Sequence, residues 1–321
     1  MLGKSRTSGI VLALGGGGAA GLAHIGVLQV LGENDIRVRA VAGTSIGAEI
    51  GAFFASGMAM RDLEAVATSF DWKKTLQLFF PDLPTGGLIS GIRIVDFLNS
   101  WIGSQLIEDL EIGYAAVAAD LDRGGQVILD RGDLVDAVRS SISIPGMMAP
   151  YNNSGRWLVD GGVVNPVPFD VARKLFGGPV VAVSIHSATL PVPAPTLDIP
   201  TPSPKWRKHV RQLLKQPWMV HAPLLRKWLL TQVNQVSPEV PPSVTDTDSH
   251  WTASRVLNRA LDIAANEIVQ LRAAASAPDL VLKPEVDNIG VLEFYEAREA
   301  IAAGRRVTEE YLPYLYRLLG R

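Results

Sequence analysis

Ser45 stands in "GTSIG" (43–47), with Gly43 and Gly47 two positions away on either side, where an apolar run changes its period. The preceding "VRAVAG" reads as a short buried strand, and Ile46, Ile50, Phe53 and Phe54 then recur at helical spacing. A serine on such a strand-to-helix turn is held clear of the sheet, and glycines beside it leave space that a side chain would fill. Its hydroxyl is then available as a nucleophile. The same spacing suits a serine that merely caps a helix N-terminus, and the motif alone does not separate the two.

A glycine run lies one strand earlier. In "IVLALGGGGAAGLAHIGVLQVL" (10–31), Gly16, Gly18 and Gly21 have the spacing G-x-G-x-x-G after a strand and at the start of a helix. A dinucleotide site would need an acidic residue at the end of the next strand to bind the ribose. That strand ends in the serine turn instead. The second use of such a loop is an oxyanion hole built from Gly16, Gly17 and Gly18, with Gly17 and Gly18 as the candidate donors, each donor stabilising a transition state by roughly 3 kcal/mol.

A serine hydroxyl also needs a base. Asp160 in "RWLVDGGVVNPVPFD" (156–170) ends a predicted strand, and Gly161 and Gly162 after it allow a tight turn and an unshielded carboxylate. Asp120, Asp122 and Asp130 also lie at strand ends, but without a glycine pair they suit turns. Among the histidines, His24 falls inside the first helix, and His209, His221 and His250 fall in or beside a proline-rich stretch. His186, after "PVVAVSI", is the one candidate for a Ser-Asp-His triad.

The elements that must position these residues alternate along the chain. Strands are expected at 10–14, 38–43, 114–121, 126–130, 156–160, 179–185 and 279–284, and most are continuous apolar runs, as in a sheet buried on both faces. Helical periodicity lies between them, which implies a layered α/β/α fold with a mostly parallel sheet and sites at the carboxyl ends of its strands. The expected organisation is a single domain over 8–321, interrupted at 188–250 by a proline-rich insertion without strands, a lid or membrane-contact segment. Residues 205–230 of it are basic and carry Trp206, Trp218 and Trp228, a composition fit for the interface of an anionic membrane and equally for solvated surface helices.

Composition removes several classes. With no cysteine in 321 residues, disulfides, thiolate chemistry and cysteine-based zinc sites are excluded. A net charge of -2 argues against general nucleic-acid binding. The N-terminus is apolar after a basic start, but four consecutive glycines would break a signal or membrane helix. A cytoplasmic protein that meets membranes from the side is expected, with its oligomeric state open.

"GGGGAAG", "GTSIG" and "DGG", in that order, resemble the patatin-like phospholipase family, as do "AVRSSISIPGMMAPY", "DGGVVNPVPFDVA" and "PDLVLKPEVDNIGVLEFYEAREAIAAG". The resemblance covers about 8–187 and 251–305 and implies a Ser-Asp dyad without histidine, acting on acyl esters of lipids with no metal or cofactor. Ser45 would be the nucleophile, Asp160 the base and Gly16 to Gly18 the oxyanion hole, with an acyl channel drawing on "TLQLFFPDL" (75–83) and "PGMMAPY" (145–151). The family's glycine loop usually has Arg or Lys before its last glycine, where this chain has Ala20. That departure predicts weaker activity or less interest in charged headgroups, unless Arg139 or Arg156 substitutes, and it leaves a silent lipid-binding relative as the rival reading.

Overall fold

The computed structural model describes residues 9–71, 89–185 and 253–321. His186, the stretch 75–83, the insertion at 188–250 and its basic portion 205–230 lie outside the described residues. The chain divides into two compact units, Met1–Pro193 with Ala264–Arg321, and Ala194–Ile263. The first carries every described residue of the candidate site.

Eight strands form one sheet: β1 (Ile10–Leu14), β2 (Val38–Thr44), β3 (Gly113–Asp120), β4 (Gln126–Leu129), β5 (Tyr151–Asn153), β6 (Arg156–Asp160), β7 (Val180–Val183) and β8 (Leu280–Leu282), in the order β5-β6-β3-β2-β1-β7-β8, with β4 also on β3. From β3 to β8 across β2, β1 and β7 every pair is parallel, while β4 and β6 run antiparallel to β3, and β5 antiparallel to β6. The α-helices among the described residues are α1 (Ala23–Glu33), α2 (Ile46–Ala55), α3 (Met60–Thr68), α4 (Ile92–Ile102), α5 (Leu134–Ser141), α6 (Phe169–Phe176), α7 (Ala253–Ala275) and α8 (Ala297–Leu318).

The sheet is buried on both faces because its strands alternate between two cores. Ile10, Leu12 and Leu14 of β1 pack with residues of α1, α2 and α8 such as Ile25, Ile50 and Ile301. Val11 and Ala13 point the other way, toward Val171 and Ala172 of α6 and Val269 of α7. This is the expected α/β/α layering.

Register brings the site together. Thr44, the last residue of β2, pairs with Val117 of β3, and Asp160, the last residue of β6, pairs with the next residue, Ala118. Because β4 occupies the other edge of β3 at Ala118 and Ala119, β6 must extend the edge that β2 uses, starting where β2 stops. Two consecutive residues of one central strand therefore fix where Ser45 and Asp160 arrive.

Candidate active site

Ser45 sits between β2 and α2 with φ 56° and ψ -127°. A positive φ at a residue with a Cβ costs on the order of 1–3 kcal/mol, and at this ψ it lies outside even the left-handed helical well. The surroundings hold it there. Ser45 N–H donates to Ser141 Oγ at 2.9 Å, and Ser141 Oγ–H donates to Val117 O at 2.6 Å, so the turn is pinned to β3. Thr44 Oγ1 donates to Asn165 O at 2.8 Å, which ties the serine turn to the segment after Asp160. The side chain of Ser45 makes no cap for α2, which leaves its hydroxyl free for other work. A Cβ on Gly47 would collide with Leu14 O, and one on Gly43 with Gly47 O, so both flanking glycines are demanded by close backbone approach.

Asp160 is 6% exposed, as is Ser45. Its backbone N–H donates to Ser143 O at 2.9 Å, and its Oδ1 accepts from Gly162 N–H at 2.7 Å. Its buried Oδ2 has no hydrogen bond of ordinary length and angle. Burial pushes the carboxyl up to about 6, offset in part by the Ser45 hydroxyl that faces it and by the Gly162 amide. Gly161 is needed for space, since a Cβ there would strike Val117 O. The structure thus brings Ser45 and Asp160 together, with one carboxylate oxygen uncommitted and the carboxyl poised to titrate near neutrality.

The glycine loop lies against the serine: a Cβ on Gly16 would stand 3.3 Å from Ser45 Cβ. Its amides divide into two sets. Gly16 N–H donates to Pro166 O at 3.0 Å and Ala19 N–H to Val291 O at 2.9 Å. Gly17 and Gly18 make no such bond among the described residues. The Gly16 N–H is thus spent within the fold, and the loop amides left without such a bond are those of Gly17 and Gly18, the two candidate donors. Gly18 has φ 58°, and a Cβ there would meet Val291 O at 2.5 Å.

Three supporting residues escaped the sequence reading or were given another part. His24 is fully buried, and its Nε2–H donates to Gly15 O at 2.8 Å, which fixes the neutral tautomer and the root of the glycine loop. Burial lowers its pKa to about 4. Ser141 was visible in "AVRSSISIPG" but its role as the clamp on Ser45 needed the fold. Arg139 does not replace a cation at position 20: its guanidinium is buried and donates to Ser143 Oγ, Ser90 O and Ala149 O while lying 5.2 Å from the centre of the Tyr151 ring. It fastens the segment whose Ser143 carbonyl holds Asp160. Arg156 is exposed on the β5–β6 hairpin, and Ala20 is itself buried in the core.

A cavity opens beside Ser45. Gly18 and Ser45 form its polar end, α2 contributes Ile46, Glu49, Ile50 and Phe53, and Leu63, Phe70, Phe97 and Met148 are among its apolar walls. Met148 belongs to the "PGMMAPY" stretch expected to line an acyl channel; the walls from α3 and α4 were not foreseen. No group of three or more His, Cys, Asp or Glu able to hold a metal occurs among the described residues, and none of their helices is long and apolar enough to cross a membrane.

Fold and site together define a layered α/β protein with a serine turn, a buried carboxyl and a glycine loop at the carboxyl end of a central parallel sheet. A family model for patatin-like phospholipases matches residues 12–173. An uncharacterized NTE family protein of Mycobacterium bovis is 31% identical over 331 residues, covering 94% of this chain and 91% of that protein. The chain belongs to the patatin-like phospholipase family. Neuropathy target esterase of Drosophila melanogaster is 37% identical over 183 residues, which cover 56% of this chain and 13% of that much longer protein. Among solved structures, VipD from Legionella pneumophila aligns over 98% of this chain and 80% of its own at 14% identity, with a TM-score of 0.40.

Proposed function

We propose that the protein is a serine-dependent lipid acyl hydrolase working through a Ser45–Asp160 dyad. The observation that carries the reading is the buried Oδ2 of Asp160, without a hydrogen bond of ordinary geometry, facing a serine held at φ 56°. As Ser45 Oγ bonds to the carbonyl carbon of an ester, its proton passes to Asp160, and the oxygen that becomes negative is received by the amides of Gly17 and Gly18. The carbon–oxygen bond to the alcohol then breaks, with the proton returning to the leaving oxygen. Water attacks the acyl-serine and gives a proton to Asp160, which passes it to Ser45 Oγ as the bond between Oγ and the acyl carbon breaks, so that the fatty acid leaves and the dyad is restored. A carboxylate is a weak base for a hydroxyl, and a pKa of about 6 brings it closer to the operating pH than an exposed aspartate would be.

Acyl esters of lipids are the substrate class, on the strength of family membership and the apolar cavity that begins at Ser45. The dyad needs no histidine and no metal. The competing reading, a silent lipid binder, draws on Ala20. Hydrolysis of a short p-nitrophenyl ester by wild type, Ser45→Ala and Asp160→Asn separates them: the dyad predicts turnover that falls at least about a thousandfold in either variant. A folded wild type inert to such esters, with vesicle binding unchanged by Ser45→Ala, would favour the silent reading.

A further inference from the structure

Glu49 is the fourth residue after Ser45, and its N–H donates to Ser45 O at 3.1 Å, closing the first turn of α2. Four residues of helical rise put the two backbone positions about 6 Å apart along α2, with Ser45 at its N-cap. Both accordingly line the same cavity. Among the described residues that line it, all but Gly18, Ser45 and Glu49 are apolar. Glu49 is half-buried, and its carboxyl makes no hydrogen bond and no ion pair with any described residue. The nearby Tyr114 hydroxyl does not serve it, since that group donates to Ala48 O at 2.9 Å. Burial raises the Glu49 carboxyl to about 7, with no partner opposing the shift.

A pocket selected only for a plain hydrocarbon chain would have an apolar residue here, because a half-buried carboxyl facing an apolar cavity loses its water when a chain fills the space, and Leu or Ile would pack in its place. The cost is recovered if the occupant brings the missing partner. We propose that Glu49 makes this pocket selective for acyl chains carrying a hydroxyl close to the ester carbonyl, most directly at the β carbon. The inference rests on the reading of Ser45 as the acyl acceptor, which fixes the carbonyl at the serine end. From there a backbone rise of about 6 Å, one turn of α2, places the carboxyl beside the first few carbons of the chain and not beside its far end. A hydroxyl suits the group in both protonation states, donating to the carboxylate and accepting from the acid. An ammonium would suit the carboxylate alone and would have to be desolvated as well.

The test uses p-nitrophenyl decanoate and its β-hydroxy and ω-hydroxy derivatives with wild type, Glu49→Gln and Glu49→Leu. Wild type is expected to prefer the β-hydroxy ester over the plain one by about tenfold in kcat/KM and to show no such preference for the ω-hydroxy ester. Glu49→Gln, which keeps hydrogen-bonding atoms, should retain most of the preference, and Glu49→Leu should reverse it by hydrolysing the plain ester faster. The matched methyl ketones, with and without the β-hydroxyl, are titrated in parallel because they bind without turnover. If no ester is hydrolysed but ketone binding shows the preference and Glu49→Leu loses it, the hydrolase reading fails and the pocket assignment stands. Equal treatment of plain and β-hydroxy compounds by wild type, or a preference that survives in Glu49→Leu, overturns the assignment.

Discussion

The raised pKa of Asp160 makes the dyad testable by pH. Moving the carboxyl from 3.8 to about 6 corresponds to about 3 kcal/mol of differential interaction between its two protonation states. Because the folded protein favours the protonated form, the cost of holding Asp160 ionised is absent below about pH 3.8, grows as pH rises, and is complete above about pH 6. Two consequences follow with opposite sign. The ionised form is the base, so kcat/KM should fall tenfold per unit below about pH 6. Asp160→Asn removes the charge, so it should be more stable than wild type by up to about 3 kcal/mol at pH 8 and lose that advantage by about pH 4, while being nearly inactive throughout. Glu49 titrates near 7 in the adjoining cavity, so the rate profile is best read in a Glu49→Gln background. The assay is ester hydrolysis under kcat/KM conditions from about pH 4.5 to 8.5, with denaturant unfolding of wild type and Asp160→Asn at both extremes. A flat rate profile through pH 6, or an Asn variant less stable than wild type at pH 8, would refute the assignment of a strained, ionised base.

Gly18→Ala should cost about 100-fold or more in kcat, because a Cβ at φ 58° meets Val291 O at 2.5 Å and must displace a free amide; a near-normal rate would remove Gly18 from the oxyanion hole. Ser141→Ala leaves the buried Ser45 N–H without its acceptor, so denaturant unfolding should show a loss of about 1–3 kcal/mol together with a lower kcat, and unchanged kinetics would mean the serine turn is held by other contacts. His24, buried neutral with a pKa near 4, should drain stability as pH falls from about 6.5 to 4, when the unfolded chain takes up a proton that the folded one refuses. His24→Gln should flatten that part of the stability curve.

Much of this arrangement was legible because the signals are local. The expected strands at 10–14 and 156–160 coincide with β1 and β6, and the change of period after Gly43 and the glycine pair after Asp160 mark the two turns that carry Ser45 and Asp160. Long-range effects were not legible. Tyr151–Asn153 forms a strand only because β6 lies beside it; "YNN" has no apolar alternation to betray it. Whether Gly16, Gly17 or Gly18 kept a free amide depended on Pro166 and Val291, more than a hundred residues away. Glu49 reads as an ordinary polar helix residue until α3 and α4 close an apolar wall around it, and Ser141 becomes a clamp only when β3 supplies Val117.

The most direct test of the central claim is mass-spectrometric mapping of a fluorophosphonate adduct on wild type, Ser45→Ala and Asp160→Asn. The account predicts a single adduct on the peptide containing Ser45, absent from Ser45→Ala and formed far more slowly in Asp160→Asn. A folded wild type that takes no label, or label on another serine that survives Ser45→Ala, would contradict it.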